Sequence, residues 1–198
     1  QKDFGNRDPK SSFLTEIATT IGVLQHAIKN VDKWTKDEKR PSNVDRPLFL
    51  RMLMGFLGSK SYIKYQPLGT VGVISPWNFP VNLILAPLGG IFAAGNRAMI
   101  KPSELTPATS EVTKRMFEAY FDKSEAAVFV GDAEVGAAFS ALPFDHLLFT
   151  GGIQIGKKVM NAASDNLVQV TLELGGKSPV IVEEIADLSA VEKKVMRE

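Results

Sequence analysis

The sequence predicts an α/β fold with a mainly parallel sheet and flanking helices, and three observations predict it. Beyond Gly69, short β-rich apolar runs alternate with segments of helical period at the rhythm of βαβ units. Four of those runs empty into turns containing proline or glycine, at Ser75-Pro76, Lys101-Pro102, Gly151-Gly152 and Gly175-Gly176. The composition is 44% hydrophobic and 23% charged over 198 residues, with 16 Gly and 11 Pro. Those proportions set aside disorder, collagen and coiled coil as readings of the whole chain.

Along the chain, Leu14, Ile17, Ile21, Leu24, Ile28 and Val31 step by three and four, which predicts one amphipathic helix from Ser11 to Trp34. A charged stretch from Asp32 closes on Pro41, Ser42 to Pro47 reads as a loop, and an apolar run follows from Leu48 to Leu57. Between Gly58 and Gly69, Ser61, Ile63 and Tyr65 alternate with Tyr62, Lys64 and Gln66, which predicts a strand with one wet face. Strands are then expected at Val71–Ile74, Arg97–Lys101, Ala126–Val130, His146–Phe149, Val168–Leu174 and Pro179–Val182. The helices between them are expected at Val81–Ala94, Pro107–Phe121, Ala133–Ala141, Ile155–Ala163 and Ser189–Glu198. Ligands of a parallel sheet gather beyond the carboxyl ends of its strands, so the functional residues are sought there.

Charge and composition narrow the chemistry. Lys+Arg 23 against Asp+Glu 22 leaves a formal +1, too little to neutralise a nucleic-acid backbone or an anionic membrane. Cysteine is absent, which removes disulfides, thiolate ligands and thiol nucleophiles within these residues. His26 and His146 are distant in sequence, so no metal site is expected, and both read as satisfied structural histidines. No apolar stretch of about 18 residues and no signal peptide is visible, which makes a cytoplasmic enzyme or binding domain the default.

Four strand ends carry candidate chemistry. In Ser75-Pro76-Trp77-Asn78-Phe79-Pro80 two prolines stiffen the loop, so Asn78 either donates to a developing oxyanion or caps the following helix. Lys101-Pro102-Ser103-Glu104 offers an ammonium, a hydroxyl and a carboxylate for a nucleotide ribose, or forms a solvated turn capped by Ser103 or Thr106. Gly151 to Lys157 matches seven positions of a P-loop, but Lys158 stands where the magnesium-binding Ser or Thr belongs. What survives is a glycine turn feeding a helix N-terminus, suited to a pyrophosphate or simply steric. On Val168 to Leu174 one face is Val168, Val170, Leu172 and Leu174, so Glu173 projects from the other face just before two glycines. It is a candidate general base, or a solvent-facing strand residue.

In order and spacing, Ile74-Ser75-Pro76-Trp77-Asn78-Phe79-Pro80, Ala94-Gly95-Asn96, Lys101-Pro102-Ser103-Glu104, Phe149-Thr150-Gly151-Gly152 and Leu172-Glu173-Leu174-Gly175-Gly176-Lys177-Ser178-Pro179 resemble the NAD(P)-dependent aldehyde dehydrogenase superfamily. Pro87 and the segment Leu142 to His146 are similar to its fatty and aromatic aldehyde branch, which includes coniferyl aldehyde dehydrogenases. The resemblance implies a Rossmann-like, incomplete cofactor-binding domain. It spans residues 1–175, with an N-terminal helical region and a bridging, oligomerising strand at 58–69, and residues 176–198 open a substrate domain.

The resemblance also implies roles. Asn78 supplies the side-chain half of an oxyanion hole and Glu173 activates water for thioester hydrolysis. Lys101 and Glu104 hold the adenosine ribose, Gly151, Gly152 and Gly156 face the pyrophosphate, and Leu174 lies beside the nicotinamide. Ile74, Ser75, Pro76, Trp77, Ser103 and Thr150 complete the cofactor contacts. A Ser that often binds phosphate in the family is replaced by Gly152. The resemblance further implies NAD as cofactor, with NADP as the alternative, an aldehyde as substrate, and a parent protein that is a homodimer or higher homo-oligomer. The family's nucleophilic Cys lies downstream of the glutamate motif, so the 198-residue chain reads as an inactive fragment. The competing reading is a stand-alone, non-catalytic nucleotide-binding module.

Overall fold

The N-terminal periodicity produces helix, but not one regular helix. The computed structural model describes residues 2–5, 7–41, 47–183, 187 and 189. In it Pro9–Ser12 (α1) passes through a π-helical stretch, Phe13–Ala18, into Thr19–Trp34 (α2). The hydroxyls of Thr15, Thr19 and Thr20 donate to the carbonyls of Ser11, Thr15 and Glu16, a competition with the helical ladder that loosens it locally. The face that packs inward carries Glu16, Thr20 and Ala27, whereas Leu14, Ile17, Ile21 and Ile28 of the expected core stripe are exposed.

Glu38–Arg40 (β1), within the charged stretch, pairs antiparallel with Ser61–Ile63 (β2), and all six residues are exposed. The expected strand after Gly58 therefore has two wet faces and a partner that its charged sequence hid. The apolar run forms Leu48–Phe56 (α3), which has no buried residue. Of the loop expected at Ser42 to Pro47, residues 42–46 lie outside the described residues, as does the helix expected from Ser189 to Glu198, Ser189 aside.

The main sheet contains Thr70–Ile74 (β3), Arg97–Lys101 (β4), Ala126–Val128 (β5), His146–Gly151 (β6) and Val170–Leu174 (β7). All pairs are parallel, in the order β5-β4-β3-β6-β7. The crossovers are Asn82–Ala93 (α4), Pro107–Tyr120 (α5), Ala133–Ser140 (α6) and Ile153–Ser164 (α7). Winding runs outward from β3 through β4 to β5 and then returns to β6 and β7. Right-handed crossovers consequently place α4 and α5 on one face and α6 and α7 on the other. Two cores agree with this: Val71, Val73, Ile84, Leu88, Ile100 and Phe117 on the first face, and Phe139, Leu147, Phe149, Val159 and Ala163 on the second. The arrangement is Rossmann-like.

Some boundaries move. β6 runs on to Gly151, and β5 stops at Val128. Val168 precedes β7, following Leu167 in the left-handed region at φ 54°. Pro179–Val182 is no strand: these residues are exposed and pair with nothing among the described residues, and an extended segment without a neighbour has no ladder to hold it. Gly69, at φ 135°, opens β3 where a Cβ would sit 2.1 Å from Asp145 Oδ2, while Asn96 Oδ1 accepts from the Leu68 and Gly69 amides.

The first turn of α5 is capped from the far end of the chain. Asp3 accepts from the amides of Ala108 at 3.0 Å and Thr109 at 2.8 Å and from the Thr109 hydroxyl at 2.6 Å. Burial works against the Asp3 charge, but these hydrogen bonds outweigh it and hold the carboxyl below its ordinary value. A lowered folded value contributes stability above the unfolded value, and that stability is lost as pH falls through the folded one. Asp3→Asn should therefore cost about 0.5–1 kcal/mol near neutrality. The gap to the parent should close at strongly acid pH, read from urea unfolding curves at both.

Candidate functional site

Reversal of winding between β3 and β6 splays the chain at their carboxyl ends, and the crevice this creates is where a doubly wound sheet takes a ligand. On the α6–α7 side a cavity of about 320 Å³ is lined by Ile74, Ala137, Phe149 and Val159, with Lys101, Glu104, Asp132 and Lys158 among its charged residues. The apolar walls suit a flat ring, and the charges suit the hydroxyls and phosphates attached to one.

Lys101 is only 2% exposed, yet its ammonium is satisfied by the Pro102 carbonyl at 2.9 Å and by Glu104 Oε2 at 3.2 Å. The pair brings both groups to the cavity together. Ser103, by contrast, spends its hydroxyl on the Leu105 amide at 3.2 Å, and its carbonyl accepts from Thr106 and Ser110. Thr106 flanks α5 without a side-chain cap, which Asp3 supplies instead.

The glycine turn after β6 divides into two kinds of position. Gly156 touches the sheet closely, since a Cβ there would sit 2.9 Å from Leu174 Cδ2 and 3.4 Å from Phe149 Cε1, and Gly151 is hemmed by the Phe149 ring. Gly152 has open space and flanks a 12-residue α7 whose N-terminus has no side-chain cap. The cradle is therefore shaped by Gly151 and Gly156 and opens in front of Gly152, which fits an anion on the helix N-terminus. An open recess lies beside it, lined by Gly152 to Ile155 and Gly175 to Lys177. Ser75, directly after β3, is buried with its hydroxyl unpartnered. Pro76 and Trp77 follow it, Trp77 exposed.

Asn78 and Glu173 lie toward the opposite face. Thr150 and Glu173 are register partners and so share a face, as do Leu148 and Thr171. Leu148 packs on the α4–α5 core, so Glu173 projects to that side and is exposed, while Leu174 packs on Gly156 of α7. His146, on the Glu173 face, bonds Thr171 at 2.9 Å through Nε2, but its buried Nδ1 has no partner, so it is not fully satisfied. The helix-cap alternative for Asn78 fails on geometry. Asn78 Oδ1 accepts only from the adjacent Phe79 amide, at 3.1 Å, and its amide group has no partner among the described residues. The open amides of α4 are taken instead by Glu16, whose Oε2 accepts from Val81 and Asn82, each at 2.9 Å. Nothing in the sequence marked Glu16, one acid within an amphipathic helix.

The Aldehyde dehydrogenase family profile matches residues 5–198. The chain belongs to that family. It is 55% identical over 195 residues to a probable coniferyl aldehyde dehydrogenase of Caulobacter vibrioides, covering 98% of this chain and 39% of that protein. A coniferyl aldehyde dehydrogenase of a Pseudomonas species is 51% identical, covering 98% and 38%. Among solved structures, the substrate-bound state of Staphylococcus aureus AldH superposes with a TM-score of 0.80 at 44% identity, covering 93% of this chain and 38% of that one. An NAD+ complex of a Bacillus cereus aldehyde dehydrogenase gives 0.75 at 29%, covering 93% and 35%. The chain thus spans about two fifths of the length of the curated relatives it matches. No helix among its described residues is long and apolar enough to cross a membrane, and no acidic, His or Cys cluster among them could hold a metal.

This aldehyde dehydrogenase segment makes its two turn glycines unequal. Gly156→Val should destabilise the fold by about 1–3 kcal/mol, because the β7–α7 contact has no room for added methyls. Gly152→Ser should stay within about 0.5 kcal/mol of the parent in the same urea titration, since its Cβ meets nothing.

Proposed function

We propose that the chain is the cofactor-binding part of a longer enzyme that oxidises an aldehyde to a carboxylic acid through a thioester, with a Cys nucleophile supplied from outside these residues. One observation carries the reading. Asn78's spare amide and the exposed Glu173 carboxylate serve one face of the carboxyl edge, while the cavity holding Lys101 and Glu104 opens across the same switch point on the other. NAD, when bound, supplies a hydride acceptor. Lys101 and Glu104 hold its ribose hydroxyls, and the turn Thr150-Gly151-Gly152 with the α7 N-terminus faces its pyrophosphate. Glu104 disfavours a 2′-phosphate and so points to NAD over NADP.

Within the reaction Asn78 donates to the oxyanion formed when the aldehyde carbonyl is attacked, and Glu173 takes a proton from the water that cleaves the thioester. The substrate domain opens at residue 176, and the 58–69 segment, which contains β2, serves as the bridge of a homo-oligomer. Coniferyl aldehyde, named for two of the relatives, sets the substrate class to examine first, and the cytoplasm is the compartment proposed. The runner-up is a non-catalytic nucleotide-binding module, and whether the reading frame beyond codon 198 encodes a Cys separates the two.

In the full-length protein, Lys101→Ala should weaken NAD binding at least tenfold while turnover at saturation changes little, since a ribose contact persists from ground to transition state. Unchanged affinity with slowed turnover would move Lys101 into the chemistry. Glu173→Gln keeps size and removes basicity. It should leave a first-turnover burst approaching one equivalent of reduced cofactor per site while steady-state turnover falls by roughly a hundredfold or more. Near-normal steady-state rates would deprive the mechanism of its base.

A further inference from the structure

The geometry points to Arg7 and Glu16 as positioning residues that hold Asn78 in its donating pose, an inference that rests on the oxyanion role proposed above. Two prolines fix φ at residues 76 and 80 and Pro80 restricts Phe79 before it, but the torsions of Trp77 and Asn78 are left free by the sequence. The N-terminal arm supplies what is missing. Arg7 Nη1 donates to the Asn78 carbonyl at 3.0 Å and faces Glu16 Oε1 at 3.4 Å. Its guanidinium stacks over the rings of Phe4, at 4.8 Å, and Phe79, at 5.1 Å. Glu16, 5% exposed, reaches with its other oxygen to the amides of Val81 and Asn82 and so fixes the downstream end of the same loop. Asn82 in turn donates to Thr19 and Thr20.

The loop is thereby clamped at Asn78 and at the start of α4 by one ion pair. Each partner of that pair is accounted for. The buried Glu16 carboxylate has Arg7, two backbone amides and the positive end of α4 around it, and Arg7 has Glu16, a carbonyl and two aromatic faces. Neither residue reaches the amide of Asn78, which stays available. A donor stabilises a developing oxyanion only if it is already in place when the charge forms, so the effect of the clamp should appear in the rate of the first chemical step and nowhere in cofactor affinity.

The test is a double-mutant cycle in the full-length enzyme, read by single-turnover cofactor reduction alongside NAD affinity and circular dichroism. Arg7→Met should slow reduction about tenfold, with NAD affinity within about twofold of the parent. Arg7→Lys, which keeps a donor, should recover most of the loss. In an Asn78→Ala background the same Arg7→Met should add less than about twofold, because the residue through which Arg7 acts is gone. Should Arg7→Met not fold, Glu16→Gln replaces it, since the amide oxygen still caps α4 while the charge that holds Arg7 is removed. A several-fold loss with the same non-additivity is then expected. The inference is overturned if either change slows the Asn78→Ala enzyme as much as the parent, or lowers melting temperature and NAD affinity with reduction intact. An Asn78→Ala enzyme that reduces cofactor at the parental rate overturns the oxyanion reading itself, and the clamp with it, a pattern distinct from the other two.

Discussion

Parallel strands cannot be joined by tight turns, and their crossovers pack with a single hand. That constraint organises this molecule around β3. Because the chain winds outward through β4 and β5 and then returns to β6 on the other side of β3, its helices divide between two faces and the two cores never merge. The seam between β3 and β6 has helix dipoles, glycine turns and loop carbonyls at one end and packed aliphatic side chains along its length. A binding crevice there requires no dedicated scaffolding, since it is the place where crossovers on both faces lead away from each other.

The loops at that seam are held from a distance. Asp3 caps α5 across 105 residues, Glu16 caps α4 across more than 60, and Asp145 accepts from the Thr70 amide at 2.7 Å. Each carboxylate takes backbone amides that the local sequence leaves open, and two of them lie at helix N-termini, where the helix dipole favours the negative charge. In this way the N-terminal arm, which contributes no sheet strand, sets the geometry of the loops that would face cofactor and substrate. Lys101 shows the complementary arrangement: a buried ammonium held by its own turn, through the Pro102 carbonyl and Glu104, where it lines the cavity.

The sequence by itself determined the strand-helix alternation after Gly69, the parallel class of the sheet, and the positions of Asn78, Lys101, Gly151 and Glu173 at strand ends. Those depend on periods of about two and 3.6 residues and on proline and glycine chemistry, all of which act over a few neighbours. Tertiary structure alone decided which face of the N-terminal helical segment packs, because the apolar stripe of Leu14, Ile17 and Ile28 had to yield to the side bearing Glu16, whose carboxylate finds open amides on α4. It decided that charged Glu38–Arg40 is a strand, because pairing with Ser61–Ile63 supplies the ladder, and that Pro179–Val182 is not, because it has no neighbour among the described residues. It decided as well that Asn78 caps nothing and that Arg7 grips its carbonyl. Hydrogen bonds between residues 62 to 106 positions apart leave no periodicity to read, since what makes them is the meeting of two surfaces rather than the spacing of residues along one.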